Sequence, residues 1–204
     1  MYILSRSALS ILIIGFLISI THAQLKPSSI FSNGMVVQRN IGIPVWGVSN
    51  ANTKVIAELN GVKDSTIATQ SGAWEIKLPA LEAGGPFQLI LRSGTQKLTY
   101  TDVYVGDVWF ASGQSNMAMQ LKDCATGSAE ISSANNQKIR QFSVANLLGD
   151  NPVNDIPSGS TWIPAVTANV GSFSATGYYF AKFLYADLNI PIGIIHSSVV
   201  WKPD

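Results

Sequence analysis

The chain has 204 residues, with 13 Lys and Arg against 12 Asp and Glu and a formal charge of +1, so no charge excess marks it as a nucleic-acid binder. At 47% hydrophobic and 12% charged residues, against about 25% charged in an average soluble domain, it is too apolar to stay disordered and must bury a core. In chain order, Arg6 precedes a charge-free apolar run from Ala8 to Ile20 and then Thr21-His22-Ala23. That is the pattern of a signal peptide over 1–23 with cleavage after Ala23, which predicts a secreted or periplasmic protein. The rival reading is a membrane anchor, but a spanning helix needs about 20 apolar residues, and Ser10, Ser19, Thr21 and His22 interrupt this one. Gln24 rather than Cys follows the cut, so no lipidated N-terminus is indicated, and no stable membrane insertion is expected after cleavage.

From Ser32 to about Tyr104 the apolar runs are short and the turn signals dense: Asn33-Gly34, Asn60-Gly61, Ser71-Gly72, Gly84-Gly85-Pro86 and Ser93-Gly94. Val55, Ala57 and Leu59 alternate with polar residues, as do Trp74, Ile76 and Leu78, and Phe87, Leu89 and Leu91. Each set predicts a strand with one dry face. Six or seven such strands make a small antiparallel β-sandwich over 24–105. Trp46 and Trp74 fit two readings, a sugar-stacking platform or buried core rings.

Beyond Gly106 the pattern changes. Val108-Trp109-Phe110-Ala111 reads as a strand buried on both faces of a parallel sheet, and it runs into Ser112-Gly113-Gln114-Ser115-Asn116-Met117. Lys138 to Ala145 predicts another strand. Ser172 to Asn189 predicts a helix, with Ser172 or Ser174 as its cap and Asn189 with Pro191 as its stop. Ile192 to Ile195 is the next strand. The stretch from Leu121 to Val170 reads as long loops with a weak helix at Ser128 to Ala134. Strand, helix, strand is a parallel α/β unit over 106–204, whose ligands collect at the carboxyl ends of the strands, where Ser115 and His196 both fall.

Cys124 stands alone, so it forms no internal disulfide or thiolate metal cluster and reads as a small apolar side chain. With His22 in the segment to be removed, His196 is the one imidazole left. A serine nucleophile needs a sharp turn after a strand, oxyanion donors and a base. Gly113-Gln114-Ser115-Asn116 offers the turn, although it lacks the second glycine of a Gly-x-Ser-x-Gly elbow. By spacing alone Ser115 fits a helix cap as well as a nucleophile.

The run Gly106-Asp107-Val108-Trp109-Phe110-Ala111-Ser112-Gly113-Gln114-Ser115-Asn116-Met117 resembles the nucleophile block of the sialate O-acetylesterase family, within the wider SGNH hydrolase group. Pro27 to Arg39 and Ile43-Pro44-Val45-Trp46-Gly47 resemble that family's opening β-domain. Phe173 to Phe180 and Leu188 to Gly193 resemble its first large helix and next strand. The resemblance implies an α/β fold, an SGNH-type parallel hydrolase unit preceded by the β-sandwich. It implies an exported carbohydrate esterase that removes O-acetyl groups from sialic acids or other glycans through an acyl-serine. Ser115 would be the nucleophile, its N–H would lie in the oxyanion hole, and Gln114 and Asn116 are carried as oxyanion or motif residues. No metal or organic cofactor is implied, and the partner is an acetylated glycan.

Where the family continues Asn-Ser-Ser-Trp-Gly-Gly-Thr after this strand, the chain reads His196-Ser197-Ser198-Val199-Val200-Trp201-Lys202-Pro203-Asp204. The family's downstream Asp-x-x-His block has no counterpart, which leads us to expect an incomplete hydrolase unit from a truncated product. His196 then stands either as a substitution beside the site or as a replacement base. Two alternatives to the sialate reading stay open: a catalytically silent product or glycan-binding sandwich, and an esterase of acetyl-xylan type.

Overall fold

The computed structural model of the chain describes residues 25–145, 153, 155, 156 and 159–199. The expected export segment 1–23 and the tail Val200 to Asp204 lie outside the described residues. Among the described residues eleven strands and three α-helices follow in order: β1 Lys26–Pro27, β2 Val36–Gln38, β3 Ile43–Val48, β4 Lys54–Leu59, β5 Val62–Ile67, β6 Ala73–Leu78, β7 Gly84–Ser93, β8 Gln96–Gly113, α1 Ser115–Ala118, α2 Gly127–Ser133, β9 Asn135–Ser143, β10 Trp162–Val166, α3 Ala175–Leu188 and β11 Ile192–Ser198.

A three-stranded sheet, β1-β3-β6, faces the β8-β7-β4-β5 part of a second sheet, and the two dry faces meet as a sandwich. The alternation read from sequence sets that core: Val55, Ala57, Leu59, Trp74, Ile76, Leu78, Leu89 and Leu91 are all buried. Asn60 and Gly61 both take positive φ at the β4–β5 hairpin, the geometry a two-residue primed turn demands. Trp74 joins the core at 4% exposure, whereas Trp46 stays 37% exposed, edge-on to Phe31 at 4.8 Å. Trp74 is thus a core ring, while Trp46 is only partly buried.

The second sheet does not stop at the sandwich. Its full order is β10-β9-β11-β8-β7-β4-β5, with β2 pairing β8 from the side. β8 pairs antiparallel with β7 up to Val105, parallel with β2 over Tyr104–Gly106, and parallel with β11 from Asp107 to Gly113. The composition changes at Gly106 but the strand runs on through it. Phe142 and Trp162, from β9 and β10, belong to the same buried cluster as the sandwich residues. Each such fully buried ring contributes about 1.5–3 kcal/mol.

Two polar ties hold β2 against the second half. Arg140, 2% exposed, donates to the Gly34 carbonyl at 3.0 Å, pairs with Asp102 at 2.8 Å and lies over the Tyr104 ring. Arg39 binds Asp107 through both carboxylate oxygens, at 2.8 and 3.1 Å, while Gln38 donates to Asp107 and accepts the Val108 N–H. The Val36–Arg39 run and the Gly106–Val108 run, which resemble one family at separate places in the sequence, thus meet in space.

The α/β unit is parallel, as expected: β11 lies between β8 and β9 and runs parallel to both. The helix read over 172–189 begins at Ala175, because Ser174 is the residue whose hydroxyl accepts the Gly177 N–H at 3.2 Å. It ends at Leu188, with Asn189 in the left-handed region before Pro191. The weak helix is α2, tied to α3 through Glu130, which accepts from Lys182 at 2.6 Å and from Tyr178 at 3.2 Å. Burial and the Glu130 charge push the Tyr178 hydroxyl up to about 12.

Two features differ from the sequence reading. β10 lies inside the stretch read as loops, pairing antiparallel with β9 across a register shift at Pro164 and Ala165. And β8 beyond Gly106 is not buried on both faces: Trp109 and Phe110, on opposite faces, are 45% and 68% exposed, and among the described residues no strand pairs the outer edge of β8 there. Trp109 instead packs edge-on to Phe180 of α3 at 5.1 Å.

Gly106 sits where β8 passes under Pro191, whose carbonyl accepts the Asp107 N–H at 3.0 Å, and a Cβ at Gly106 would overlap that carbonyl oxygen. Gly106→Ala is expected to lower the unfolding free energy by about 1–3 kcal/mol, the range for forcing an extra methyl into a packed site; an unchanged urea midpoint would refute this. The hydrogen bond from Arg39 holds the Asp107 carboxyl below the usual carboxylate range. With the folded pKa depressed, the pair stabilises above about pH 4 and that contribution is lost as pH falls through the folded value. Asp107→Asn is therefore expected to be less stable at neutral pH and to lose less stability on acidification, so that the two urea midpoints converge in acid; a constant gap across pH would contradict it.

Candidate active site

The turn after β8 is built by its termination. Gly113 ends the strand, Gln114 takes the cap position with φ −107° and no side-chain bond, and Ser115 opens the four-residue helix α1. Ala118 N–H donates to the Gln114 carbonyl at 2.9 Å and Met119 N–H to the Ser115 carbonyl at 3.0 Å. The N–H groups of Ser115, Asn116 and Met117 precede the first of those bonds and so remain for another acceptor. Ser115 is not the cap. Its side chain is exposed, and among the described residues no hydrogen bond reaches its hydroxyl. Gln114 and Asn116 flank it, both exposed.

The backbone around that free hydroxyl is tied from two sides. From the start of α3, Thr176 Oγ1 donates to the Asn116 carbonyl at 3.1 Å, Ser174 Oγ donates to Met117 Sδ at 3.2 Å, and the Ala175 N–H donates to the Met119 carbonyl at 2.8 Å. Ser174 itself is held by Gln141 of β9, whose buried side-chain oxygen accepts its N–H at 3.2 Å. From β11, the Val199 N–H donates to the Gly113 carbonyl at 3.2 Å, and His196 Nε2 lies 3.1 Å from the Met117 carbonyl.

His196 stands opposite Ala111 on β8 and Ser143 on β9, so its place is set by parallel pairing on both sides. Burial lowers its pKa, offset in part by the bond to the Met117 carbonyl, which raises it. The sequence thus brings Gln114, Ser115, Asn116 and His196 to one end of the β8–β11 pair. It showed Ser174 only as a helix cap and gave no sign of Thr176, Gln141 or the ties that link all three to the turn, which depend on pairings across 33 to 60 residues. A helix-cap serine before a helix was the one legible signal among them.

Other surface features lie elsewhere. Trp46, Trp74, Lys26, Glu75 and Asp155 line an open cleft of about 700 Å³ on the sandwich, to which no residue of the Gly113–Met117 turn contributes. Asp155 there accepts from Ser28 Oγ at 2.7 Å and from the Ser29 N–H and hydroxyl. Among the described residues no group of three His, Cys, Asp or Glu side chains is placed to hold a metal ion, and no helix is long and apolar enough to cross a membrane.

No family model matches the chain. Human sialate O-acetylesterase is 29% identical over 189 residues, covering 84% of this chain and 36% of the relative, and the rat enzyme is 30% identical over the same length and 35% of its own. Among solved structures, a carbohydrate acetylesterase from Xanthomonas citri superposes with a TM-score of 0.81 at 37% identity, covering 86% of this chain and 40% of that one. Sequence and fold comparisons point the same way: over 84–86% of its own length the chain is similar to sialate O-acetylesterases and to a carbohydrate acetylesterase, and it spans about a third of the length of those curated relatives.

Proposed function

We propose that the chain carries the nucleophile half of an exported carbohydrate esterase that hydrolyses O-acetyl esters on sialic acids or other glycans through an acyl-serine on Ser115. The observation that carries this reading is the Ser115 hydroxyl, exposed and unbonded in a turn whose surrounding backbone is tied on both sides. In the proposed reaction the Ser115 oxygen attacks the acetyl carbonyl carbon and its proton passes to a base. The carbonyl oxygen becomes an oxyanion facing the free N–H groups of the turn, which stabilise it because they need no reorientation. Collapse expels the sugar hydroxyl, which takes the proton, and leaves acetyl-Ser115. Water then repeats the sequence and releases acetate.

The base is the weak point of the chain by itself. The imidazole of the Asp-x-x-His block implied by the resemblance has no counterpart in the 204 residues, and His196 Nε2 is engaged with the Met117 carbonyl. That engagement favours, as a second reading, a product that is catalytically silent and whose sandwich, with Trp46 half exposed, binds glycan.

Acetyl-ester hydrolysis with and without added imidazole separates the two. The esterase reading expects turnover by the chain to be slow, within the residual about 10³–10⁴-fold over water that binding and an oxyanion hole supply, to rise when imidazole is added, and to lose that imidazole response in Ser115→Ala, which keeps the residual rate alone. Absence of any turnover or imidazole response on O-acetylated sialic acid and acetylated xylan alike would leave the silent reading. Preference between those two substrates decides between the sialate and acetyl-xylan types. For export, expression with residues 1–23 present is expected to yield a product outside the cytoplasm whose N-terminal sequence starts at Gln24. Leu25 is already buried and its N–H bonded to Gln96 at 2.7 Å, so the cut spares the fold; an uncleaved, membrane-held chain would overturn this.

A further inference from the structure

α1 is too short to satisfy its own carbonyls. The Met117 carbonyl would be served in a longer helix by the Leu121 N–H, but that group donates to the Phe173 carbonyl at 2.9 Å. The partner the Met117 carbonyl has instead is His196 Nε2 at 3.1 Å. A carbonyl only accepts, so the nitrogen facing it carries the proton, and a neutral His196 is then the Nε2–H tautomer. The histidine is in turn fixed by its strand. Its carbonyl accepts the Val144 N–H at 2.8 Å, and its neighbours on β8 and β9 are set by register.

The consequence for chemistry is that Nε2 is spent as a donor and Nδ1 is the nitrogen left unprotonated. A general base for Ser115 must present an unprotonated nitrogen at hydrogen-bond distance from the hydroxyl. Among the described residues no bond joins His196 to Ser115. The ties from α3 restrain the turn on one side, at Asn116, Met117 and Met119. His196 is the side-chain tie from β11 on the other, acting at the residue two after the serine.

We infer that His196 is a positioning residue, a clamp from β11 that donates Nε2–H to the Met117 carbonyl and so fixes the helical turn bearing Ser115, and that it is not the base. The inference rests on the proposed role of Ser115 only for its effect on turnover; the clamp itself is a statement about the folded chain.

Glutamine separates the two roles, because its side-chain N–H₂ reaches about as far as histidine Nε2 yet it takes up no proton near neutrality. The nitrogen shifts of the single imidazole of the chain without residues 1–23 report the tautomer, and amide exchange at Ala118 and Met119 reports the turn. We expect Nε2–H in the wild type, exchange about tenfold faster in His196→Leu, and recovery of protection in His196→Gln. With imidazole added, acetyl-ester turnover is expected to fall in His196→Leu and to be largely recovered in His196→Gln. An Nδ1–H tautomer, unchanged exchange in His196→Leu, or turnover by His196→Gln no higher than that of Ser115→Ala would each overturn the clamp. If His196→Leu loses protection throughout, at Val55 as well as at the turn, His196→Gln and the tautomer decide. If the wild type shows no turnover at all, the esterase reading fails while the tautomer and exchange still judge the clamp.

Discussion

The structure depends on one strand being an edge for three partners. β8 offers β7, β2 and β11 successive stretches of the same backbone, and the change of partner takes place within a few residues of Gly106. Each neighbour needs that strand to bury its own apolar face, so neither half is complete without it. The Pro191 carbonyl above Gly106 and the Arg39–Asp107 pair beside it fix the crossing. Everything at the candidate site is measured from there, since the turn bearing Ser115 lies at the far end of the same strand.

This arrangement explains why the block from Gly106 to Met117 reads as one unit although its residues do different work. Gly106 and Asp107 join the two halves, Val108 is hydrogen-bonded to Gln38 of β2, and only the last four or five positions form the turn that carries Ser115. A motif of this length is a structural strut with the candidate serine turn at its tip. Ser174 extends the same economy to α3, where one hydroxyl accepts from the helix start and donates to the Met117 sulfur.

What was legible in the sequence is what local physics dictates. Alternation in Val55–Leu59 and Trp74–Leu78 gave the dry faces, Asn60-Gly61 gave a hairpin, and Ser174 and Asn189 gave the ends of a helix. β10 escaped because Pro164 and a register shift break its pattern, and its reason to be a strand is its partner β9. A boundary between halves at 105 and 106 follows composition, which cannot reveal that a strand passes through it. The serine was found by resemblance to a motif, not by spacing. The link between His196 and Met117 spans 79 residues and could be seen only once β8 and β11 lie side by side.

The outer edge of β8 beyond Gly106 has a consequence for the molecule in solution. Its backbone N–H and C=O groups lie beside exposed Trp109 and Phe110, with Phe183 exposed on α3 as well. Such an edge is a template for a further strand from any chain that meets it. A formal charge of +1 on 204 residues supplies almost no long-range repulsion to keep copies apart. Among the described residues, contact through that edge would therefore depend on its apolar side chains and unpaired backbone groups more than on net charge.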